Sequence, residues 1–425
     1  MNVSREAADL RRGLPALLYA GSVSIATAYG FLLLLPAYLK SIGGNEAEAG
    51  RVLACGAVGA ILAVLLTGRL CERAGPGNAA AIGSAVYAVG TGGVWLNSHV
   101  SVYLYLAGVL LGAGWALFFT AAPITLSTFV PGESRGMYFS VLAGFNALGM
   151  GLAPVLSDYL RSASVSYSTL FLAATLLNIV SAALFVLLAR RLDGAAAPLA
   201  QAGRGTSILG PWRAVLASPA KPFFLMVLLG ACVFTSMQSF NSTYAGGHGL
   251  NYAVFYGAYT LGVIVPRFTV SGFVARQNPR RTTVILLALM CLSLTGFLVV
   301  SGNPLVYGAS SALLGMSYGL VYPLIQAQAV AVSEADVRHW VLSYFSLAYF
   351  LAVFGFPLVA GAVIVHWGYQ TMFAALVAIG LGELAVAVRQ AVRRPAGSIA
   401  KAREPRSARS TPPSSETAAT GGVSD

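Results

Sequence analysis

Aromatic and amide side chains recur at helical spacing inside long apolar stretches of the sequence. Trp115 and Phe119 are four residues apart, and Tyr318 precedes Tyr322 by the same interval, so each pair shares one helix face. Aromatic rings stack on flat organic molecules, and amides bind polar groups through hydrogen bonds. The set comprises Tyr29, Trp115, Phe119, Asn146, Gln238, Asn241, Tyr318, Tyr322 and Gln326. Together these side chains predict a largely uncharged pocket for a small neutral or amphipathic organic molecule.

Each member of this set also has a purely structural explanation. A single aromatic residue in an apolar stretch usually serves helix packing. An amide such as Gln238, Asn241 or Gln326 is equally suited to a hydrogen bond between two helices. The pocket is therefore predicted from the set as a whole rather than from any one residue.

Charged residues within or at the ends of apolar stretches are costly in a membrane and often functional. Three stand out here, namely Arg267, Asp158 and Glu383. Arg267 is a candidate substrate ligand, although its side chain could instead extend to the membrane interface. Asp158 and Glu383 are the candidates for carrying a coupled proton, of which we favour Asp158. The alternatives are a solvated interfacial acid for Asp158 and a structural ion pair for Glu383.

Residue patterns of several other chemistries are missing from the sequence. The four cysteines, Cys55, Cys71, Cys232 and Cys291, contain no C-x-x-C pair, and the four histidines are far apart. No G-x-x-x-x-G-K-[ST] phosphate loop is present, so ATP is not expected to drive the protein directly. We therefore expect no metal site, no cofactor and no enzymatic activity.

The composition is that of a polytopic membrane protein. Of 425 residues, 57% are hydrophobic and only 9% are charged, which excludes both a soluble globular protein and a disordered one. Twelve continuous apolar runs are long enough for membrane helices. The runs are 14–39, 47–67, 79–95, 102–124, 137–156, 169–189, 223–244, 252–273, 282–300, 305–330, 342–365 and 372–388. The predicted fold is all-α, with twelve transmembrane helices in two six-helix bundles.

Composition and charge divide the chain and orient it. We predict a cytoplasmic N-terminus (1–13), two bundles (14–189 and 222–394), a cytoplasmic linker (190–221) and a disordered cytoplasmic tail (395–425). Nearly all Lys and Arg residues outside the spans fall on the side of the termini and linker, whereas Lys40 and Arg161 lie opposite. Both termini should therefore be cytoplasmic. This placement explains the net charge of +12 without a nucleic-acid partner.

The two predicted bundles repeat one another. Residues 111–119 (LGAGWALFF) are similar to residues 314–322 (LGMSYGLVY), and Arg135 and Pro154 match Arg338 and Pro357 at the same offset. A six-span unit repeated in one direction gives two bundles related by an axis along the membrane normal. In transporters built this way, the substrate site lies between the halves.

The loop after the second span carries a recognisable motif. Residues 68–75 read GRLCERAG, which resembles the G-x-L-x-D-R-x-G signature of the major facilitator superfamily, with Glu72 at the acid position. The tenth span resembles that of bacterial arabinose-efflux or drug-efflux permeases. The resemblance covers the chain from Leu14 to Arg394 and implies that the first, fourth, seventh and tenth spans line a cavity. It also implies a cytoplasmic gate. The gate residues are Gly68, Glu72, Arg73, Gly75, Arg135, Arg276 and Arg338.

The leading hypothesis is a secondary active transporter of the bacterial inner membrane that works by alternating access. We expect it to act as a monomer in the lipid bilayer and to export a small organic molecule, such as a drug, sugar, siderophore or metabolite. Protons are the candidate coupling ion. One alternative is an importer or facilitator of a small metabolite such as a carboxylate, which Arg267 would face. Another is a receptor or scaffold descended from a transporter.

Overall fold

A computed structural model describes residues 2–130, 135–193, 212–334 and 337–392, which are almost wholly helical. The first half contains α1 (Asn2–Leu32), α2 (Leu35–Ser41), α3 (Glu46–Ala74), α4 (Pro76–Leu96), α5 (Val102–Phe129), α6 (Arg135–Ser162) and α7 (Tyr167–Asp193). The second half contains α8 (Trp212–Ala217), α9 (Lys221–Gly247), α10 (Tyr252–Thr269), α11 (Ser271–Arg276), α12 (Pro279–Leu298), α13 (Pro304–Ala331) and α14 (Arg338–Val392).

Helix starts follow from the local sequence. Asn45 accepts from the Glu48 backbone N–H while the Glu48 side chain accepts from the Asn45 backbone, which forms a capping box at the start of α3. The helices α12 and α13 begin with a proline after an asparagine cap, and proline has no N–H to leave unsatisfied there. Gly75 ends α3 with a φ of 83°, a left-handed conformation that glycine adopts without strain.

The twelve predicted crossings are present. Ten helices in the described part of the chain are long and apolar enough to span a membrane. One of them, α14, turns at Gly368 (φ 82°) and supplies two crossings, and the 18-residue α10 supplies the twelfth. Three details differ from the sequence prediction. The helix of the first span begins at Asn2, well before residue 14. The first run, predicted over 14–39, breaks after Leu32 into α1 and α2, and the eighth run breaks at Val270 into α10 and α11.

The duplication is visible as identical packing in the two halves. A side chain added at Gly59 on α3 would overlap the Val109 carbonyl on α5. The residues 203 positions later, Gly262 on α10 and the Ala312 carbonyl on α13, meet in the same way. Small residues at such contacts let membrane helices approach closely. The second and fourth spans of each half therefore pack in one register, as expected for a repeated unit.

The two halves meet mainly through two pairs of helices, and the short α2 also packs on α9. The first part of α14 packs on α3, and α10 packs on α6. The chain crosses back and forth, so one face of the bundle carries Asp193 and Trp212, and we call it the linker face. The opposite face carries Glu46 and is called the Glu46 face. Large apolar side chains such as Leu62 and Leu261 are exposed on the outside of the bundle, as expected where lipid takes the place of water.

Candidate functional site

A cavity of about 820 Å³ lies between the two halves. Its walls come from α1, α5 and α6 of the first half and from α9, α10, α11, α13 and α14 of the second. Phe139, Ser140, Leu342 and Ser346 are among its lining residues, and each of them lies near the start of a helix on the linker face. The cavity thus extends from the middle of the bundle toward that face.

Aromatic rings from both halves line the cavity. Tyr29 and Trp115 lie 4.1 Å apart between ring centroids, and Phe234 stacks on Tyr318 at 5.0 Å. Tyr349 on α14 contacts Tyr322 at 5.2 Å and also Phe119 of the opposite half at 6.2 Å. Such walls present apolar faces with hydroxyl or indole groups at their edges. They suit a molecule that is itself partly aromatic or aliphatic and partly polar.

Among the described residues, three side chains that line the cavity carry a buried polar atom that makes no hydrogen bond of ordinary geometry. These atoms belong to Asn146 (Oδ1), Gln238 (Nε2) and Tyr318 (the hydroxyl). A buried polar group without a partner is costly, and it gains free energy when a ligand or water supplies one. The amide nitrogen can donate, the amide oxygen can accept, and the hydroxyl can do either. The three atoms have almost no accessible surface in this conformation, so they can bind the polar atoms of a ligand once their side chains turn toward the cavity.

The halves are joined on the Glu46 face. The Tyr369 hydroxyl donates to Glu46 Oε1 at 3.0 Å and lies 2.6 Å from Thr243 Oγ1, while Lys40 Nζ contacts the same Glu46 oxygen at 3.4 Å. This group links α14 and α9 of the second half to α3 of the first. Beside it, a side chain added at Gly50 would overlap the Pro357 carbonyl. The backbones of α3 and α14 are therefore in direct contact at this end.

A second contact between the halves lies on the same face. Asn251 Nδ2 at the start of α10 donates to Asp158 Oδ2 near the end of α6 at 2.8 Å. The hydroxyls of Ser157 and Tyr252, which are the sequence neighbours of Asp158 and Asn251, lie 3.4 Å apart. With the α3–α14 contact, this pairing closes the cavity toward the Glu46 face, so the conformation is open toward the linker face.

Comparison with known proteins identifies the family. The family model of the Major Facilitator Superfamily matches residues 17–357. The chain belongs to the major facilitator superfamily. Among solved members of this fold, a POT family transporter in complex with 5-aminolevulinic acid has a TM-score of 0.72 at 12% identity, covering 90% of this chain and 96% of that one. The nucleoside transporter NupG, as a mutant, has a TM-score of 0.71 at 13% identity, covering 88% and 99%.

Curated relatives within the superfamily match part of the chain. The multidrug resistance protein MdtL of Klebsiella pneumoniae is 26% identical over 199 residues, which is 45% of this chain and 48% of that protein. An uncharacterized MFS-type transporter of Pseudomonas aeruginosa is 29% identical over 180 residues, covering 41% and 44%. The chain thus spans about half the length of the curated relatives it matches. The comparisons therefore show membership of the superfamily, in agreement with the many long apolar helices.

Most of the predicted pocket residues lie on the cavity wall. These are Tyr29, Trp115, Phe119, Asn146, Gln238, Arg267, Tyr318, Tyr322 and Gln326. Asn241 does not line it, because its Oδ1 accepts from the Tyr307 hydroxyl at 3.0 Å and its Nδ2 donates to the Met237 carbonyl. The sequence reasoning missed Phe234, Tyr259 and Tyr349. The sequence could have indicated the first two. Phe234 lies one helical turn before Gln238 and Tyr259 lies two turns before Arg267, so each shares a helix face with a predicted pocket residue.

The superfamily loop motif makes no described contact between the halves in this conformation. Glu72 and Arg73 are exposed, and a side chain added at Gly68 would meet nothing within 4 Å. Arg135 is also exposed and donates to the Ser127 carbonyl of its own half, and Arg276 is exposed. The side chain of Arg338 lies outside the described residues. The arrangement is that expected of a linker-face gate when the linker face is open, and the closing role of these residues stays a prediction.

The two candidate proton carriers lie in different surroundings. Asp158 is half-buried at the contact between α6 and α10, as described above. Glu383 is almost fully buried in the second part of α14, and its Oε2 has no hydrogen-bond partner. A side chain added at Gly230 on α9 would come within 3.1 Å of both Glu383 oxygens. Glu383 therefore lies behind the cavity, inside the second half, and Asp158 lies where the two halves separate.

The different positions of Gln238 and Asn241 give a direct test of the site. We expect Gln238→Ala to weaken ligand binding about tenfold, because one hydrogen bond inside an apolar cavity is lost. Asn241→Ala should leave the affinity unchanged and lower the thermal midpoint, because it leaves the buried Tyr307 hydroxyl without its acceptor. Ligand titration and thermal unfolding of both variants measure this difference. Equal loss of affinity in both would contradict the assignment.

Proposed function

We propose that the protein is a secondary active transporter of the bacterial inner membrane that exports a small amphipathic organic molecule by alternating access. The observation that carries this proposal is the cavity between two repeated halves, closed toward the Glu46 face and extending toward the linker face. Rocking of the halves about such a cavity moves a bound solute from one side of the membrane to the other. The linker face is then cytoplasmic, in agreement with the Lys and Arg distribution.

Two observations support an exported amphipathic compound. The aromatic walls and the unpartnered amide and hydroxyl groups favour a ligand with apolar and polar parts. The partial similarity to a multidrug resistance protein favours efflux. The alternative of uptake or facilitated diffusion of a metabolite such as a carboxylate is supported by Arg267 on the cavity wall. Both functions use the same site and differ in direction.

Transport by purified protein in liposomes tests the proposal. The probes are three aromatic compounds of equal size, namely 2-naphthoate, 2-naphthamide and 2-naphthylmethylamine, offered from each side. We expect saturable flux of at least one of them, reduced about tenfold by Trp115→Ala, because that ring is part of the cavity wall. Trp367→Ala is the matched control, since Trp367 is exposed on the Glu46 face. If no probe moves faster than through protein-free liposomes, or if both variants are equally impaired, the proposal fails.

Energy coupling is the part of the proposal that depends on an acid. We propose that Asp158 carries the proton, because protonation removes its charge at the contact that has to break when the Glu46 face opens. Asp158→Asn should abolish accumulation driven by a pH gradient and spare exchange of substrate for substrate. Glu383→Gln is the comparison variant and should retain both. Gradient-driven accumulation in Asp158→Asn would contradict the assignment.

A further inference from the structure

Arg267 is the one charged side chain among the described residues that line the cavity. The remaining lining residues are aromatic, aliphatic or neutral polar groups, and no carboxylate is among those described. A guanidinium in a cavity with apolar walls is poorly screened, so its positive potential extends over the space in which a ligand would lie. The charge of a ligand therefore affects how strongly it binds in this cavity.

The register of α10 and α13 shows which way Arg267 extends. Gly315 lies against Tyr259 and Gly319 against Val263, so the two helices run parallel, side by side. Arg267 follows Val263 by one turn and is thus one turn nearer the linker face. Its guanidinium nevertheless donates to the Gly319 carbonyl at 3.3 Å, which lies back toward the middle of the bundle.

This direction excludes the interfacial explanation for Arg267. A snorkelling side chain would extend toward the linker face and its water, away from Gly319. On α10 the Cα–Cβ bonds tilt toward the helix start at Tyr252, which lies on the Glu46 face, and this tilt directs Arg267 into the bundle. The side chain is only partly exposed and lies on the cavity wall.

We propose that the cavity selects organic anions, and that Arg267 binds the anionic group while the aromatic walls bind the rest of the molecule. The proposal rests on the proposed transport function and names the charge class of its substrate. A guanidinium binds a planar carboxylate through two parallel hydrogen bonds, a geometry that a neutral amide cannot match. Asn146, Gln238 and Tyr318 supply further donors and acceptors around the same space. The substrate is thus an aromatic or aliphatic monoanion.

The test measures the potential in the cavity and needs neither a known substrate nor transport. After replacement of the four native cysteines, one cysteine is introduced as Ser346→Cys on the cavity wall. The reaction rates of the anionic reagent MTSES and the cationic reagent MTSET are then compared. We expect Arg267→Gln to lower the ratio of anionic to cationic rate at least about fivefold, because one poorly screened charge is removed. Arg267→Lys should keep most of the ratio.

Arg281→Gln is the matched control, since Arg281 is an exposed cation outside the cavity lining, and it should leave the ratio unchanged. An unchanged ratio in Arg267→Gln would overturn the proposal, as would an equal fall in Arg281→Gln. Binding of 2-naphthoate and 2-naphthamide to purified protein completes the test. The wild type should prefer the carboxylate, and Arg267→Gln should lose the preference. Equal affinities in the wild type would refute anion selectivity while leaving transport itself intact.

Discussion

Replacing Gly50 by valine is expected to open the Glu46 face and to abolish most transport. In the present conformation the added side chain would overlap the Pro357 carbonyl, and backbone atoms of two helices cannot move aside independently. Overpacking of this kind costs about 1–3 kcal/mol. The strain is released when α3 and α14 separate, so the cost falls on one conformation only. The equilibrium between the two open forms should therefore shift by between about fivefold and a hundredfold.

Gly355→Val is the control for this variant. Gly355 lies on the same helix as Pro357, but a side chain there would come no closer than 3.9 Å to its nearest neighbour. It should transport normally, and both variants should have similar thermal midpoints. Flux into liposomes and thermal unfolding provide the two measurements. Normal flux in Gly50→Val would show that the contact between α3 and α14 does not form part of the transport cycle.

Replacing Gly112 by valine should destabilise the protein in every conformation, unlike Gly50→Val, which destabilises only one. Gly112 on α5 packs against the backbone of Gly56 on α3 within one half, and rocking of the halves does not separate these helices. Close packing of small residues replaces the hydrophobic effect as the source of helix association in a bilayer. A loss of about 3 kcal/mol would lower the thermal midpoint by roughly 3–4 °C, because the entropy of unfolding grows with the length of the chain.

The equivalent change in the second half, Gly315→Val, should cost about as much, because Gly315 meets the Tyr259 backbone in the same register. Gly382→Val is the control, since Gly382 is exposed and a side chain there would meet nothing within 4 Å. Thermal unfolding in detergent and yield after size-exclusion chromatography measure the effect. A Gly112→Val protein as stable as Gly382→Val would contradict the packing described for both halves.

Features that depend on local pattern could be predicted from the sequence. Hydropathy alone gave the twelve crossings, and the match of residues 111–119 with 314–322 gave the duplication. The polar faces of the lining helices gave most of the cavity wall. Asn241 was expected to share the cavity-facing side of its helix with Gln238. Residues three positions apart are rotated by about 300° around the helix axis, so these two side chains point about 60° apart. That difference directs Gln238 to the cavity and Asn241 to Tyr307.

Contacts between distant parts of the chain could not be predicted. The bond between Tyr369 and Glu46 joins residues 323 positions apart, and neither belongs to a sequence motif. The pairing of Asp158 with Asn251 is similarly invisible, because both residues are common at helix ends. Which face is closed depends on the relative position of two rigid halves, and one sequence has to be compatible with both arrangements.

The two halves are expected to rock about a shared cavity, so that one face opens as the other closes. Pulsed EPR distances measure this directly in a background without native cysteines. One spin-label pair at Ser41 and Gln370 reports on the Glu46 face, and another at Arg190 and Gln277 reports on the linker face. Each pair joins the two halves through exposed positions.

The Gly50→Val substitution is then introduced into both labelled proteins, and Gly355→Val is introduced into the same proteins as the control. We expect Gly50→Val to lengthen the Ser41–Gln370 distance and to shorten the Arg190–Gln277 distance, and Gly355→Val to change neither. The two distances would then move in opposite senses, as rocking about a central cavity requires. Unchanged distances in Gly50→Val, or a change of the same sign on both faces, would show that the halves do not rock about the cavity.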